Sequence, residues 1–320
     1  MNILEEILNA ETRIRPHTLT TPLLKSLPLG KQGRANVYLK LESEQHTGSF
    51  KARGSMNKIL SLSDEQRKRG VVTASTGNHG MGVARALAET GAKGVVFVPE
   101  NASTSKVEAI KEYGAEIRYT KAELSETEAH GQAKQYARDN GMEWISPYND
   151  SQIIGGQGTI AVELLQQLAD IDYAFVTVGG GGLISGVASY LTTYSPKTKV
   201  IGCLPENSPE MYRSVQAGAY VHMKSLPTLS DGSGGGFEEG SITFPLCQEL
   251  IHDWTLVSEK EITEAIRLVL DAHHKVIEGA AGAAVASYLK RRDEFVGKNV
   301  VILICGSNIA TSTLKEILNQ

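Results

Sequence analysis

Cysteine is scarce in these 320 residues, and Cys203, Cys247 and Cys305 stand too far apart to outline a disulfide framework or a zinc site. No apolar run approaches membrane-spanning length. The opening segment, MNILEEILNAETRI, carries acids where a secretory leader would carry bases, so neither a span nor a leader is expected. Net charge is also small. A formal −4 gives no long-range attraction for nucleic acid or for an anionic membrane. No GxSxG elbow, Ser-His-Asp order, HExxH or CxxC pair is present, so the common hydrolase and metalloprotease signatures do not apply. A cytoplasmic protein with one large domain or two moderate ones is the expectation.

Glycine is what the chain has in quantity: 32 residues, several of them in clusters that follow a strand pattern and precede a helix pattern. Short apolar, β-rich runs predict strands at 36–41, 70–74, 94–98, 116–120, 173–178, 199–204 and 299–305. Helical periodicity predicts helices at 51–61, 78–90, 104–113, 125–139, 157–168, 183–194, 261–275 and 278–291, with a capping box at Ser258 and Glu261. Such alternation implies an α/β fold with parallel sheets covered on both faces. STGNHG (75–80), GGGG (179–182) and the end of NVVILICGSN (299–308) all lie at strand-to-helix turns. Ligands of open α/β sheets bind there, so the three loops are expected to converge on one cleft. The expected division is a small α/β domain over 70–147 inserted in a larger one, 1–69 plus 148–320.

In GGGGLISG (179–186), four successive glycines let backbone N–H groups turn toward one anion, and the helix that Leu183 opens adds its dipole. No Lys-Ser/Thr follows and no acid ends a next strand in the expected place, so a single phosphate fits better than a nucleotide triphosphate or a dinucleotide. STGNHG offers Ser75, Thr76, Asn78 and backbone N–H groups that suit a carboxylate, although the same residues suit an N-capping turn equally well. His79 falls inside the following helix and reads as structural. HTGSFKARG (46–54) sets Lys51 at a helix start, where a cation is electrostatically unfavourable and a nucleophilic neutral amine is favoured. A solvated lysine is the plain alternative, and taken alone the motif does not displace it. Glu238–Glu239 reads as a solvated turn, and His273–His274 lacks partners at metal-ligand spacing.

In order and separation, TGSFKARG, STGNHG, IIGGQGT (153–159), GGGG and CGSN resemble the fold-type II pyridoxal-phosphate enzymes (tryptophan synthase β-like), specifically the serine/threonine dehydratase and serine racemase group. The resemblance runs from TPLL (21–24) to Asn308. It implies two open parallel-sheet α/β domains with pyridoxal 5′-phosphate in the cleft between them, covalently attached to Lys51 as a Schiff base. Phe50 resembles the aromatic residue beside the cofactor, Asn78 the partner of its ring hydroxyl, and Cys305 the partner of its pyridine nitrogen. Gly179, Gly180, Gly181 and Gly182, with Leu183, resemble the phosphate cradle. Ser75, Thr76, Gly77, Asn78 and His79 resemble the loop that grips the substrate carboxylate, and Lys51 and Thr76 are the candidate catalytic groups.

The implied activity is elimination of water from a hydroxyamino acid, L-threonine or L-serine first, giving a 2-oxo acid and ammonia. A neutral thiol cannot hold a pyridinium as a carboxylate would, so Cys305 favours elimination. Serine racemase is the alternative. PENSPEMY (205–212) and TLSDGSGGGFEEG (228–240) also look like a branch acting on bulkier hydroxyamino acids such as phenylserine. A non-catalytic ligand-binding protein on the same fold is the more distant reading. Two positions depart from the pattern. Thr76 stands where racemases carry serine and dehydratases often alanine. Leu204 stands where the racemase branch has one acidic cation ligand, which leaves Glu210 as the candidate for a divalent or monovalent cation. The resemblance further implies a homodimer acting on a small amino acid, and no regulatory domain is expected after CGSN.

Overall fold

The strand–helix alternation resolves into two separate sheets. The computed structural model of the protein describes residues 2–75, 77–100, 102, 104–122 and 126–319. The strands are β1 (Leu23–Lys25), β2 (Asn36–Leu41), β3 (Val71–Ala74), β4 (Gly94–Pro99), β5 (Glu116–Thr120), β6 (Glu143–Trp144), β7 (Tyr173–Thr177), β8 (Lys199–Pro205), β9 (Asp253–Val257) and β10 (Asn299–Ile304). One sheet has six strands in the order β1-β2-β10-β7-β8-β9, and the other has four in the order β5-β4-β3-β6. Every pairing is parallel except β1 with β2 at one edge. The central strands β7, β8 and β10 are apolar and buried almost throughout, as a sheet covered on both faces requires.

The helices are α1 (Ile3–Ile14), α2 (Leu27–Gly33), α3 (Lys51–Ser61), α4 (Asp64–Arg69), α5 (Asn78–Thr90), α6 (Thr104–Glu112), α7 (Glu126–Asp139), α8 (Ser151–Gln167), α9 (Gly182–Tyr194), α10 (Glu210–Ala217), α11 (Thr243–Leu250), α12 (Glu259–His273), α13 (Gly279–Arg291) and α14 (Thr311–Asn319). The expected helix at 157–168 begins six residues earlier, at Ser151. The Asp150 side chain accepts from the N–H groups of Gln152 and Ile153, which starts the helix ahead of the glycines. The glycines of IIGGQGT therefore lie inside a buried helix and not in a loop. A Cβ on Gly156 would lie 2.6 Å from the Gly54 Cα, so α8 and α3 approach backbone to backbone there. At α12 the expected capping box of Ser258 and Glu261 is present.

Helix α3 is fastened from below by a buried ionic cluster. The Arg53 guanidinium donates to Glu42 Oε2 at 2.7 Å, to Glu42 Oε1 at 2.8 Å and to Glu163 Oε1 at 2.8 Å. Lys40 Nζ donates to Glu163 Oε2 at 2.6 Å, and none of these four side chains is exposed. Burial alone would raise the Glu163 carboxyl, but Arg53 and Lys40 outweigh it and bring it down to about 2. The cluster ties β2, α3 and α8 into one rigid support.

Candidate active site

The loop before α3 is held against the end of β10. Phe50 donates its N–H to the Cys305 carbonyl at 3.0 Å, and Ser49 bridges to Gly306. Lys51 is the first residue of α3, and its Nζ donates to the Pro147 carbonyl at 2.7 Å, 5.3 Å from the centroid of the Phe50 ring. The Nζ is therefore held toward the segment that follows β6.

Opposite lies a set of polar groups built on Glu278, the residue before α13. This buried carboxylate accepts from Asn78 Nδ2 at 2.9 and 3.0 Å and from the Asn308 N–H at 3.0 Å. Asn308 Nδ2 in turn donates to Asn78 Oδ1 at 2.7 Å, so the Asn78 amide is fixed at both ends. The Cys305 Sγ lies 4.0 Å from Glu278 Oε1. Burial first and the Glu278 charge second push the Cys305 thiol well above its ordinary value, so it is neutral at physiological pH.

The glycine loop Gly179–Gly182 leaves β7 and enters α9. A Cβ on Gly180 would lie 2.4 Å from the Tyr148 ring, and only glycine lets that ring lie flat on the loop. Thr243 Oγ1 donates to the Gly180 carbonyl at 2.7 Å, holding the loop from its other side. Helix α9 directs its N-terminal end to the same space.

These elements surround one cavity of about 430 Å³. Its lining includes Phe50, Lys51, Ser75, Gly77, Asn78, His79, Gly179, Gly180, Gly181, Gly182, Leu183 and Cys305. Thr76 lies outside the described residues. In the turn beside it, the Gly77 N–H donates to Ser75 Oγ at 3.2 Å. His79 is buried with Nε2 3.3 Å from the Ile145 carbonyl, while Nδ1 has no hydrogen-bond partner among the described residues. Burial, and then the nearby Lys51 charge, hold its imidazole well below the ordinary value and keep it neutral.

Glu210 does not line this cavity. It lies at the start of α10 with its carboxylate against Gly236, and burial raises it above the ordinary carboxylate range. Leu204 is buried in the core on β8. Among the described residues, no three His, Cys, Asp or Glu side chains come together as a metal site would need.

Sequence reasoning missed Glu278, Asn308 as its partner, Tyr148 and the Pro147 carbonyl. Glu278 reads in the sequence as an ordinary acid opening a helix, and its partner Asn78 lies 200 residues away. The cavity's far wall, with Met81, Phe97 and His130, carried no local signal at all.

The dimensions and donor set suit pyridoxal phosphate. A backbone cradle that a Cβ would disrupt, a lysine amine directed into the cavity, a fixed amide and a neutral thiol surround one space. Comparison with known proteins agrees. Residues 14–306 match the family model described as pyridoxal-phosphate dependent enzyme. The L-threonine ammonia-lyase of Thermotoga maritima is 38% identical over 320 residues, covering 100% of this chain and 79% of that protein. Among solved structures, maize serine racemase superposes with a TM-score of 0.92 at 31% identity, covering 98% of this chain and 96% of that one. The processed form of threonine deaminase isoform 2 from Solanum lycopersicum superposes with a TM-score of 0.92 at 32% identity, covering 99% and 92%.

Proposed function

Since this chain belongs to the pyridoxal-phosphate-dependent enzyme family, we propose that it eliminates water from a hydroxyamino acid, L-threonine or L-serine, to give a 2-oxo acid and ammonia. The observation that carries this reading is the meeting of Lys51 Nζ, the glycine loop, Asn78 and a neutral Cys305 thiol on one cavity. The likeness to a threonine ammonia-lyase and a threonine deaminase supports the choice of substrate. We take residues 70–147 as one domain and 1–69 plus 148–320 as the other, with the cavity between them.

Pyridoxal phosphate, when bound, supplies an electron sink for charge developing at the substrate Cα. Gly179 to Gly182 and the N-terminal end of α9 would hold its phosphate. Phe50 and Asn78 would flank the ring, with Asn78 kept in one orientation by Glu278 and Asn308. Lys51 would anchor the group, and its Nζ, held at the cavity by the Pro147 carbonyl, is the amine that would take up the substrate Cα proton. Ser75, Gly77 and the backbone to His79, with Thr76, would grip the substrate carboxylate and so fix Cα relative to that amine. The neutral Cys305 thiol would give the cofactor's ring nitrogen no anionic partner, which favours expulsion of the β-hydroxyl. Amino-acid racemisation is the second reading, supported by the likeness to maize serine racemase. We further take the enzyme to be a cytoplasmic homodimer. None of the helices among the described residues is long and apolar enough to cross a membrane.

The test is release of 2-oxo acid by the cofactor-loaded protein from L- and D-serine, L- and D-threonine and phenylserine. We expect 2-oxobutanoate from L-threonine and pyruvate from L-serine. Inversion of chirality without oxo acid would replace this reading by racemisation. No turnover of any member would refute both.

A further inference from the structure

Glu238 is not the solvated turn residue its sequence suggests. Its Oε1 accepts from Lys134 Nζ at 2.8 Å, which joins the loop after residue 231 to α7 on the other sheet. The second carboxylate oxygen accepts from Asn149 Nδ2 at 3.3 Å. Its backbone N–H donates to Tyr148 Oη at 2.8 Å, and that same Tyr148 ring lies on Gly180 of the glycine loop.

The α7 end of this pair also leads into the cavity. Lys134 Nζ stands 5.6 Å over the Trp144 ring, and one helical turn earlier His130 meets the same ring edge-on at 5.6 Å. His130 and its neighbour Ala129 line the cavity together with Phe97 and Met81. Glu238 thus touches both walls: through Lys134 and Trp144 it braces the His130 wall, and through Tyr148 it braces the glycine loop.

We propose that Lys134 and Glu238 are positioning residues whose ion pair sets the spacing of the two cavity walls and thereby the affinity for the amino-acid substrate. The proposal rests on the elimination reading above for its substrate. The pair touches no reacting atom. It acts by holding α7 and the 231–240 loop together before the amino acid arrives, so its loss weakens binding more than it slows chemistry. With side chains 29% and 24% exposed, both residues are partly open to solvent and not in the core, so their replacement spares the fold.

The test compares Lys134→Ala, Glu238→Ala and the charge-exchanged double variant K134E/E238K, all cofactor-loaded. Each single variant should raise KM for the hydroxyamino acid about fivefold while kcat changes less than about twofold, and the double variant should recover most of the loss. A second readout needs no turnover. With Trp254→Phe as background, acrylamide quenching of Trp144 should rise in Glu238→Ala, which leaves Lys134 in place, and fall again in the double variant. Should Glu238→Ala fail to fold, the nearly isosteric Glu238→Gln repeats both measurements. Unchanged KM and quenching in the single variants, or a double variant no better than either, would overturn the proposal. If the wild-type enzyme turned over no hydroxyamino acid, the elimination reading would fall. The quenching result would then decide alone, unchanged quenching in Glu238→Ala counting against the pair.

Discussion

Lys51 and Arg53 stand two residues apart in the first turn of α3 and meet opposite surroundings. Arg53 points into the protein, where two carboxylates satisfy its guanidinium and Lys40 balances the second of them. Lys51 points into the cavity, where the Pro147 carbonyl accepts from its Nζ beside an aromatic face. The first cluster is closed by matched charges, and a buried network of that kind tolerates no missing member. The second faces open space and leaves room for another molecule. Rigidity below and accessibility above are both needed if a lysine is to be held for chemistry, and the two lie within one helical turn.

Breaking the open side should have the largest effect. Lys51→Ala should lower 2-oxo acid formation by at least about 10³-fold, while the melting temperature moves by only a few degrees. Activity assays paired with thermal melts check both halves of that statement.

Breaking the closed side should invert the pattern. Glu163→Gln leaves Arg53 and Lys40 without their shared anion and should cost about 3–5 kcal/mol in a denaturant titration. The pH dependence follows from the same carboxylate. Its folded value of about 2 lies below the ordinary 4.5, so its stabilisation is complete above about 4.5 and disappears as pH falls toward about 2. Stability of the wild-type protein should fall through that window, and Glu163→Gln should flatten the fall.

A smaller effect should come from the cradle. In Gly180→Ala the new methyl group meets the Tyr148 ring, and fluorescence titration of the apoenzyme should show cofactor affinity reduced about tenfold, with about 1–3 kcal/mol of stability lost. Smallest is Glu278→Gln. Removal of this charge lets the Cys305 thiol relax from its raised value, so alkylation of Cys305 in the apoenzyme should shift to lower pH. Turnover should fall only several-fold, because one amide hydrogen bond to Asn78 is lost.

The closed and open clusters were not equally legible in the sequence. The open side announces itself through glycine-rich turns at strand ends, because anion-holding backbone needs residues without side chains. TGSFKARG, STGNHG, GGGG and CGSN could therefore be read locally, and so could the strands and helices flanking them. The closed side depends on Glu42 and Glu163, which are 121 positions apart and look like ordinary charged residues until α3 and α8 cross. Glu278 was hidden for the same reason. Its meaning comes from Asn78 and Asn308 in other elements. Helix α1 presents Ile3, Ile7, Ala10 and Ile14 on one buried stripe, but it falls outside the strand–helix alternation that organises the rest. The 210–257 segment holds α10, α11 and β9 in a region where glycine and proline obscure any single period. The Lys134–Glu238 pair lay beyond reach, since nothing in EEG distinguishes an acid that spans two sheets from one that faces water.

Lys51 as covalent anchor is the role on which the proposed chemistry turns. Borohydride reduction of the cofactor-loaded protein, followed by proteolysis and mass mapping, tests this directly. One modified peptide is expected, carrying the reduced cofactor on Lys51. Modification of another lysine in place of Lys51, or no stable adduct at all, would contradict it.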